Sequence, residues 1–143
     1  GNNVCNSLIF GCSKTQTQIV IATPKGFEPN PEVVKKSSKY TVVDLTTDPK
    51  SAVKDADIVM TDTFTSIHMS DPKRTEKFLP SFQVNDSLME KAKNDAIFMH
   101  CLPAKREQEV TSSVIDGPQS VVWDEAENRL HTQKALLLSL LSI

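Results

Sequence analysis

The segment "AIFMHCLPAKRE", Ala96 to Glu107, sets an imidazole and a thiol side by side at His100 and Cys101, where an apolar run stops. Imidazole, thiol and carboxylate groups can each accept, hold or share a proton. Other residues complement this pair. Asp62 closes the run "DIVMTD", Asn2 and Asn3 open the first helical pattern, and Arg129 stands in "EAENR". A carboxylate attracts an ammonium group, and an arginine grips carboxylate or phosphate oxygens through a two-pronged hydrogen bond. Asparagine serves either charge, through its NH₂ or its C=O. The set suits an amino acid held beside a phosphate or carbamoyl group. Each member also has an ordinary structural reading. Asp62 can cap a helix or form a turn, and Arg129 can pair with Glu125 four residues earlier. Cys101 can be a small packed side chain, and His100 a hydrogen-bonded core histidine. Their convergence is what points to chemistry.

Convergence requires elements that deliver these residues to one place. Five β-branched, apolar segments read as buried strands: Gln18–Thr23, Thr41–Thr46, Asp57–Asp62, Ala96–Cys101 and Ser120–Glu125. Helical patterns separate them. "NPEVVKKSSK" and "DPKSAVKDA" each open on a capping residue, Asn30 or Asp48, followed by proline. "NDSLMEKAK" starts at Asn85 or Asp86, and "EVTSSVI" is short. From Glu125 to Leu141, Ala126, Leu130, Leu137, Leu138 and Leu141 form one stripe, which predicts a core-packing helix. Strands alternating with helices imply an α/β fold: a doubly wound, mostly parallel, Rossmann-like sheet covered by helices on both faces. In such sheets ligands bind beyond the carboxyl ends of the strands. Asp62, His100 and Cys101 stand there, with Asp124 and Glu125 after the fifth segment and Arg129 one helical turn on.

One feature departs from a self-contained domain. The helix "NNVCNSLIFGCSKTQ" has no strand before it, so Gly1-Asn2-Asn3 reads as a strand-to-helix turn and the chain as starting partway through a larger protein. The interval from Thr63 to Val84 is long for a connection. It is expected to hold a short helix in "DPKRTEKFL" or to serve as a lid. Other classes are excluded by bulk features. A net charge of -2 gives no basic nucleic-acid footprint. "ALLLSLL" falls far short of the ~20 apolar residues of a membrane span. Four glycines, none in a phosphate-loop pattern, disfavour nucleotide cofactors. Three cysteines argue against a disulfide framework and for a reducing, cytoplasmic setting. His100 and Cys101, adjacent on a strand, point to opposite faces, so no metal site is expected.

The segments "GNNVCNSL", "IATPKGFEP", "ADIVMTDTFTS", "FQVN", "MHCLPA" and "VVWDEAENRLHTQKALL" together resemble the ornithine carbamoyltransferase family, in family order and over essentially the whole chain. The resemblance is to the second, ornithine-binding half. It implies that residues 1–143 are the C-terminal ornithine-binding domain, with the N-terminal carbamoyl-phosphate domain absent. It implies carbamoyl transfer from carbamoyl phosphate to the δ-amino group of L-ornithine, giving L-citrulline and phosphate, with no metal or organic cofactor, in a homotrimer of the full-length enzyme. Asn3, Asp62, Ser66 and Ile67 match the ornithine-binding positions. Cys101 and Leu102 match the pair lining the active site, and Arg129 matches an arginine that helps bind carbamoyl phosphate. Asp62, His100 and Cys101 are then the candidates to receive or share the proton of the attacking amine. The family's "SMG" loop reads Ser66-Ile67-His68 here, and Phe64 stands where a tryptophan is common. The loop change leaves room for another amine such as putrescine. A truncated, non-catalytic amino-acid-binding domain is the remaining alternative.

Overall fold

The computed structural model describes residues 1–65 and 72–141. In chain order its elements are α1 (Asn3–Thr15), β1 (Ile19–Ala22), α2 (Pro31–Ser37), β2 (Val43–Thr46), α3 (Pro49–Ala52), β3 (Ile58–Thr61), α4 (Pro72–Phe78), α5 (Asp86–Met89), β4 (Ile97–His100), α6 (Ser112–Ile115) and α7 (Val122–Leu141). The strands pair in parallel, as the alternation of strand and helix predicts. They form two ladders, β1 with β2 and β3 with β4, and no ladder joins the two pairs among the described residues. The register of the second pair positions the candidate site, because it sets Thr61 opposite His100.

The helix starts obey their capping residues. Asn30 Oδ1 accepts the Glu32 amide at 2.9 Å, Asp48 Oδ1 the Lys50 amide at 3.0 Å, and Asn85 Oδ1 the Leu88 amide at 3.0 Å. Each satisfies a backbone donor that the first helical turn leaves without a partner. In α2 and α3 the next residue is proline, whose fixed φ suits the first helical position and whose missing N–H costs nothing there. The short helix expected in "DPKRTEKFL" is α4. It is tied to the end of β3 by Phe78, whose ring stacks on Phe64 at 4.7 Å and meets Phe27 edge-on at 5.1 Å.

The core lies between β3–β4 and the helices after them, with Val59, Leu88, Phe98, Val110, Ile115 and Val122 at its centre. Phe98 is fully buried in the middle of β4. Its amide donates to the Gln119 carbonyl at 2.8 Å, and its carbonyl accepts from Val121 at 3.0 Å. Phe98→Ala is expected to destabilise the fold by about 3–5 kcal/mol through lost burial and a residual cavity, read from denaturant midpoints.

Two expectations require correction. The fifth segment, Ser120–Glu125, does not form a strand. It contributes one parallel bridge, Ser120 to Phe98, and α7 begins at Val122. Asp124 and Glu125 therefore occupy the first helical turn, where carboxylates complement the positive end of the helix dipole. The Leu stripe of α7 is also not packed on the core: Leu130 is 66% exposed, and Leu137, Leu138 and Leu141 are exposed with it. Length explains this. A strand of four residues spans about 13 Å, whereas the 20 residues of α7 span about 30 Å. The helix packs on β4 and buries Val122 at its base, then outruns the sheet. Cys5 and Cys12 are half-buried free thiols. No helix among the described residues is long and apolar enough to cross a membrane.

Candidate active site at the strand tips

The site begins with the parallel register. Because Thr61 pairs with His100, the next residues in each chain segment, Asp62 and Cys101, leave the two strands side by side. Cys101 Sγ donates to Asp62 Oδ1 at 3.4 Å. The same oxygen accepts the Thr63 amide at 2.7 Å, and Asp62 Oδ2 accepts from Asn2 Nδ2 at 2.6 Å. Asn2 can do this because it also caps α1. Its Oδ1 accepts the Cys5 amide at 2.9 Å, which fixes the amide orientation and turns the NH₂ toward Asp62. Three parts of the chain thus meet at one half-buried carboxylate.

Burial raises the pKa of the Cys101 thiol, and the charge of Asp62 and the hydrogen bond to it raise it further, up to about 11. At neutral pH Cys101 is therefore a thiol that donates, not a thiolate that attacks. The sign carries over to stability. An unfolded cysteine ionises near its ordinary pKa while the folded one still holds its proton, so this group's stabilising contribution is complete below about 9 and is lost as pH rises toward about 11. Alkylation of Cys101, followed by peptide mapping, is expected to keep accelerating to about pH 11. A plateau near pH 9, as for an ordinary thiol, would contradict the pairing with Asp62.

On its other side Cys101 lines a pocket of about 490 Å³ together with Leu102, Arg106, Trp123 and Arg129. Arg129 reaches it from α7. The ion pair that its spacing from Glu125 suggested does not form among the described residues. Glu125 Oε2 accepts the His100 amide instead, at 2.9 Å, which stitches the first turn of α7 to the tip of β4. Leu102 has a φ of 53°, a left-handed conformation that costs a branched residue about 1–3 kcal/mol and is characteristic of functional turns.

Of the residues singled out from the sequence, Asp62, Cys101, Leu102 and Arg129 come together. Asn3 is the first residue of α1 and is exposed, next to Asn2, which makes the contact to Asp62. His100 is fully buried, so it touches the pocket only through its neighbours. Ser66, Ile67 and His68 lie outside the described residues, as does part of the expected lid. His131 is exposed and meets Glu127 at 3.1 Å. Glu109, which nothing in the sequence singles out, is fully buried 3.4 Å from His100. Set in "AKREQEV", it reads as part of a solvated charged run. No three His, Cys, Asp or Glu side chains cluster as metal ligands among the described residues.

The geometry is that of a pocket lined by the Cys101 thiol and by the Arg106 and Arg129 guanidiniums, with the Asp62 carboxylate bonded to Cys101 on its far side. The family model described as aspartate/ornithine carbamoyltransferase, Asp/Orn binding domain, matches residues 1–140. An ornithine carbamoyltransferase of Cenarchaeum symbiosum is 64% identical over 140 residues, covering 98% of this chain and 46% of the relative. The solved ornithine carbamoyltransferase of Pyrococcus furiosus is 48% identical with a TM-score of 0.89, covering 96% of this chain and 46% of that one. The anabolic enzyme of Campylobacter jejuni is 34% identical with a TM-score of 0.91, covering 99% of this chain and 49% of that one. The chain spans about half the length of the relatives it matches.

Proposed function

The chain belongs to the aspartate/ornithine carbamoyltransferase family, and from that premise we propose that residues 1–143 form the ornithine-binding domain of an ornithine carbamoyltransferase. The reaction is transfer of a carbamoyl group from carbamoyl phosphate to the δ-amino group of L-ornithine. A C–N bond forms, the C–O bond to phosphate breaks, and the amine loses a proton; L-citrulline and phosphate leave. The observation that carries the reading is the meeting of Asp62, Cys101 and the Arg129 pocket at the strand tips.

Asp62 attracts the ammonium of the amino acid and holds it against the Cys101 wall. Asn3 and the loop residues Ser66 and Ile67 complete its binding. Free amines of this kind are protonated at pH 7, so the nucleophile forms only when the ammonium gives up its proton. Asp62 serves that step, as a carboxylate already desolvated by Asn2 and Cys101. The Cys101 thiol is a donor, not the base. His100 acts through the loop it supports. As the amine attacks, negative charge grows on the carbamoyl oxygen and then on phosphate. Arg129 and the Leu102 turn face that charge, and each preorganised donor at such a position is typically worth about 2.7–4 kcal/mol.

No metal or organic cofactor enters this scheme. We place the enzyme in the cytoplasm, on the low cysteine count, and assign it a homotrimeric assembly by analogy with the family. The test is steady-state carbamoylation by the full-length protein with ornithine, putrescine and aspartate offered separately. Citrulline formation with ornithine preferred supports the reading. Preference for putrescine or aspartate, or no transfer to any amine, would overturn it.

A further inference from the structure

The loop that carries Cys101 and Leu102 is held from below by two fully buried ionisable side chains, His100 and Glu109. His100 Nδ1 accepts the Leu102 amide at 2.9 Å. A ring nitrogen that accepts carries no proton, so the ring proton sits on Nε2. That atom faces Glu109 Oε1 at 3.4 Å, within reach of an ion pair but not aligned as a hydrogen bond. The same Oε1 accepts the Lys105 amide at 2.5 Å. Glu109 is itself anchored: its carbonyl accepts the Val84 amide at 2.9 Å, and Thr111 donates back to Val84 at 3.0 Å. A buried carboxylate and imidazole are costly to desolvate, and apolar residues of the same size often serve stability as well or better. The chain from Glu109 through His100 to the Leu102 amide ends on the left-handed residue of the pocket wall.

We infer that Glu109 and His100 are a positioning pair for carbamoyl transfer: Glu109 fixes the Nε2–H form of His100, and His100 Nδ1 then holds the Leu102 turn and the Cys101 thiol beside it in working geometry. This rests on the proposed function of the pocket. Neither side chain touches a substrate; both act through the loop. Glutamine at 109 can keep its carbonyl oxygen where the Lys105 amide and Nε2–H both point, whereas leucine keeps roughly the size but removes the acceptor that faces Nε2–H. The ring is then free to take the opposite tautomer, whose Nδ1–H cannot accept from Leu102. Aspartate keeps the charge but draws it back by one methylene.

The test uses the full-length protein with ¹⁵N-labelled histidine and reads two things besides activity: the His100 tautomer by NMR, and the alkylation rate of Cys101 by peptide mapping. The wild type is expected to show the Nε2–H form. Glu109→Leu is expected to change the tautomer, to alter the Cys101 alkylation rate and to lower kcat on the order of 10²-fold with KM values nearly unchanged, the loss expected for misplacement of about 1 Å. Glu109→Asp should recover part of each. An Nδ1–H form in the wild type overturns the inference, and this holds even if the leucine variant does not fold. So does a folded Glu109→Leu protein with wild-type tautomer, thiol reactivity and kcat. If tautomer and thiol respond as expected but the wild type carbamoylates no amine, the positioning pair stands and the assignment of function falls.

Discussion

Asp62→Asn is expected to lower kcat/KM for ornithine by roughly 10²–10⁴-fold in the full-length protein, the equivalent of the 3–5 kcal/mol lost when one partner of a buried charge pair is removed. The size reflects what the carboxylate does. Asn2 and Cys101 both donate to it, and it stands where the strand register forces β3 and β4 to release their chains together. Asparagine keeps the shape and one acceptor oxygen; turned to Thr63 and Cys101, that oxygen leaves the new NH₂ against Asn2 Nδ2, so the Thr63 turn survives and the Asn2 bond is lost. The change in folding stability is accordingly about 1 kcal/mol, that of a single hydrogen bond. Steady-state kinetics together with a thermal melt separate the two effects. The same variant removes the charge that helps hold the Cys101 thiol up, so the alkylation profile of Cys101 should move toward lower pH. Unchanged ornithine kinetics would rule out Asp62 as the ammonium anchor.

Arg129→Ala carries the second large effect, and it falls on the other substrate. Arg129 lines the pocket from α7 and forms no ion pair with Glu125 among the described residues, so its guanidinium is available to an oxyanion. Losing such a donor costs about 2.7–4 kcal/mol of transition-state stabilisation, or roughly 10²–10³-fold in kcat/KM for carbamoyl phosphate. Since the side chain is exposed, the fold should change by no more than about 0.5 kcal/mol. Arg129→Lys should recover only part of the loss, because an ammonium lacks the planar fork that matches a phosphate. If ornithine kinetics alone respond, Arg129 serves the amino acid instead.

The strands and their tips were legible in the sequence for a physical reason: β-branched runs have few alternatives, and proline or asparagine at their flanks fixes where helices begin. Asp62 and Cys101 could be placed on one rim because each stands at the end of such a run. Ser120–Glu125 looked equally strand-like, yet the acidic residues after Val122 favour a helix start, and only one bridge remains. The choice between Asn2 and Asn3 was invisible to composition. It is made by backbone angles, which put Asn2 in the extended cap position with its amide free to turn to Asp62. Glu109 was hidden for the opposite reason. Charged neighbours imply solvent, and only the fold of the 100–111 segment over Val84 and Val110 brings that one carboxylate inside. Glu125 was read as a partner for Arg129, but a backbone amide at the tip of β4 captured it first. The Leu stripe of α7 had the right period for a core helix and the wrong length for so short a sheet.

The most direct test is a crystal structure of the full-length protein with L-ornithine and a non-hydrolysable phosphonate analogue of carbamoyl phosphate. The ornithine ammonium is expected within hydrogen-bond reach of Asp62, with the Cys101 thiol alongside and the anion against Arg129. An amino acid bound on any other face, or a pocket in which Asp62 and Arg129 point away from both ligands, would contradict the strand-tip site.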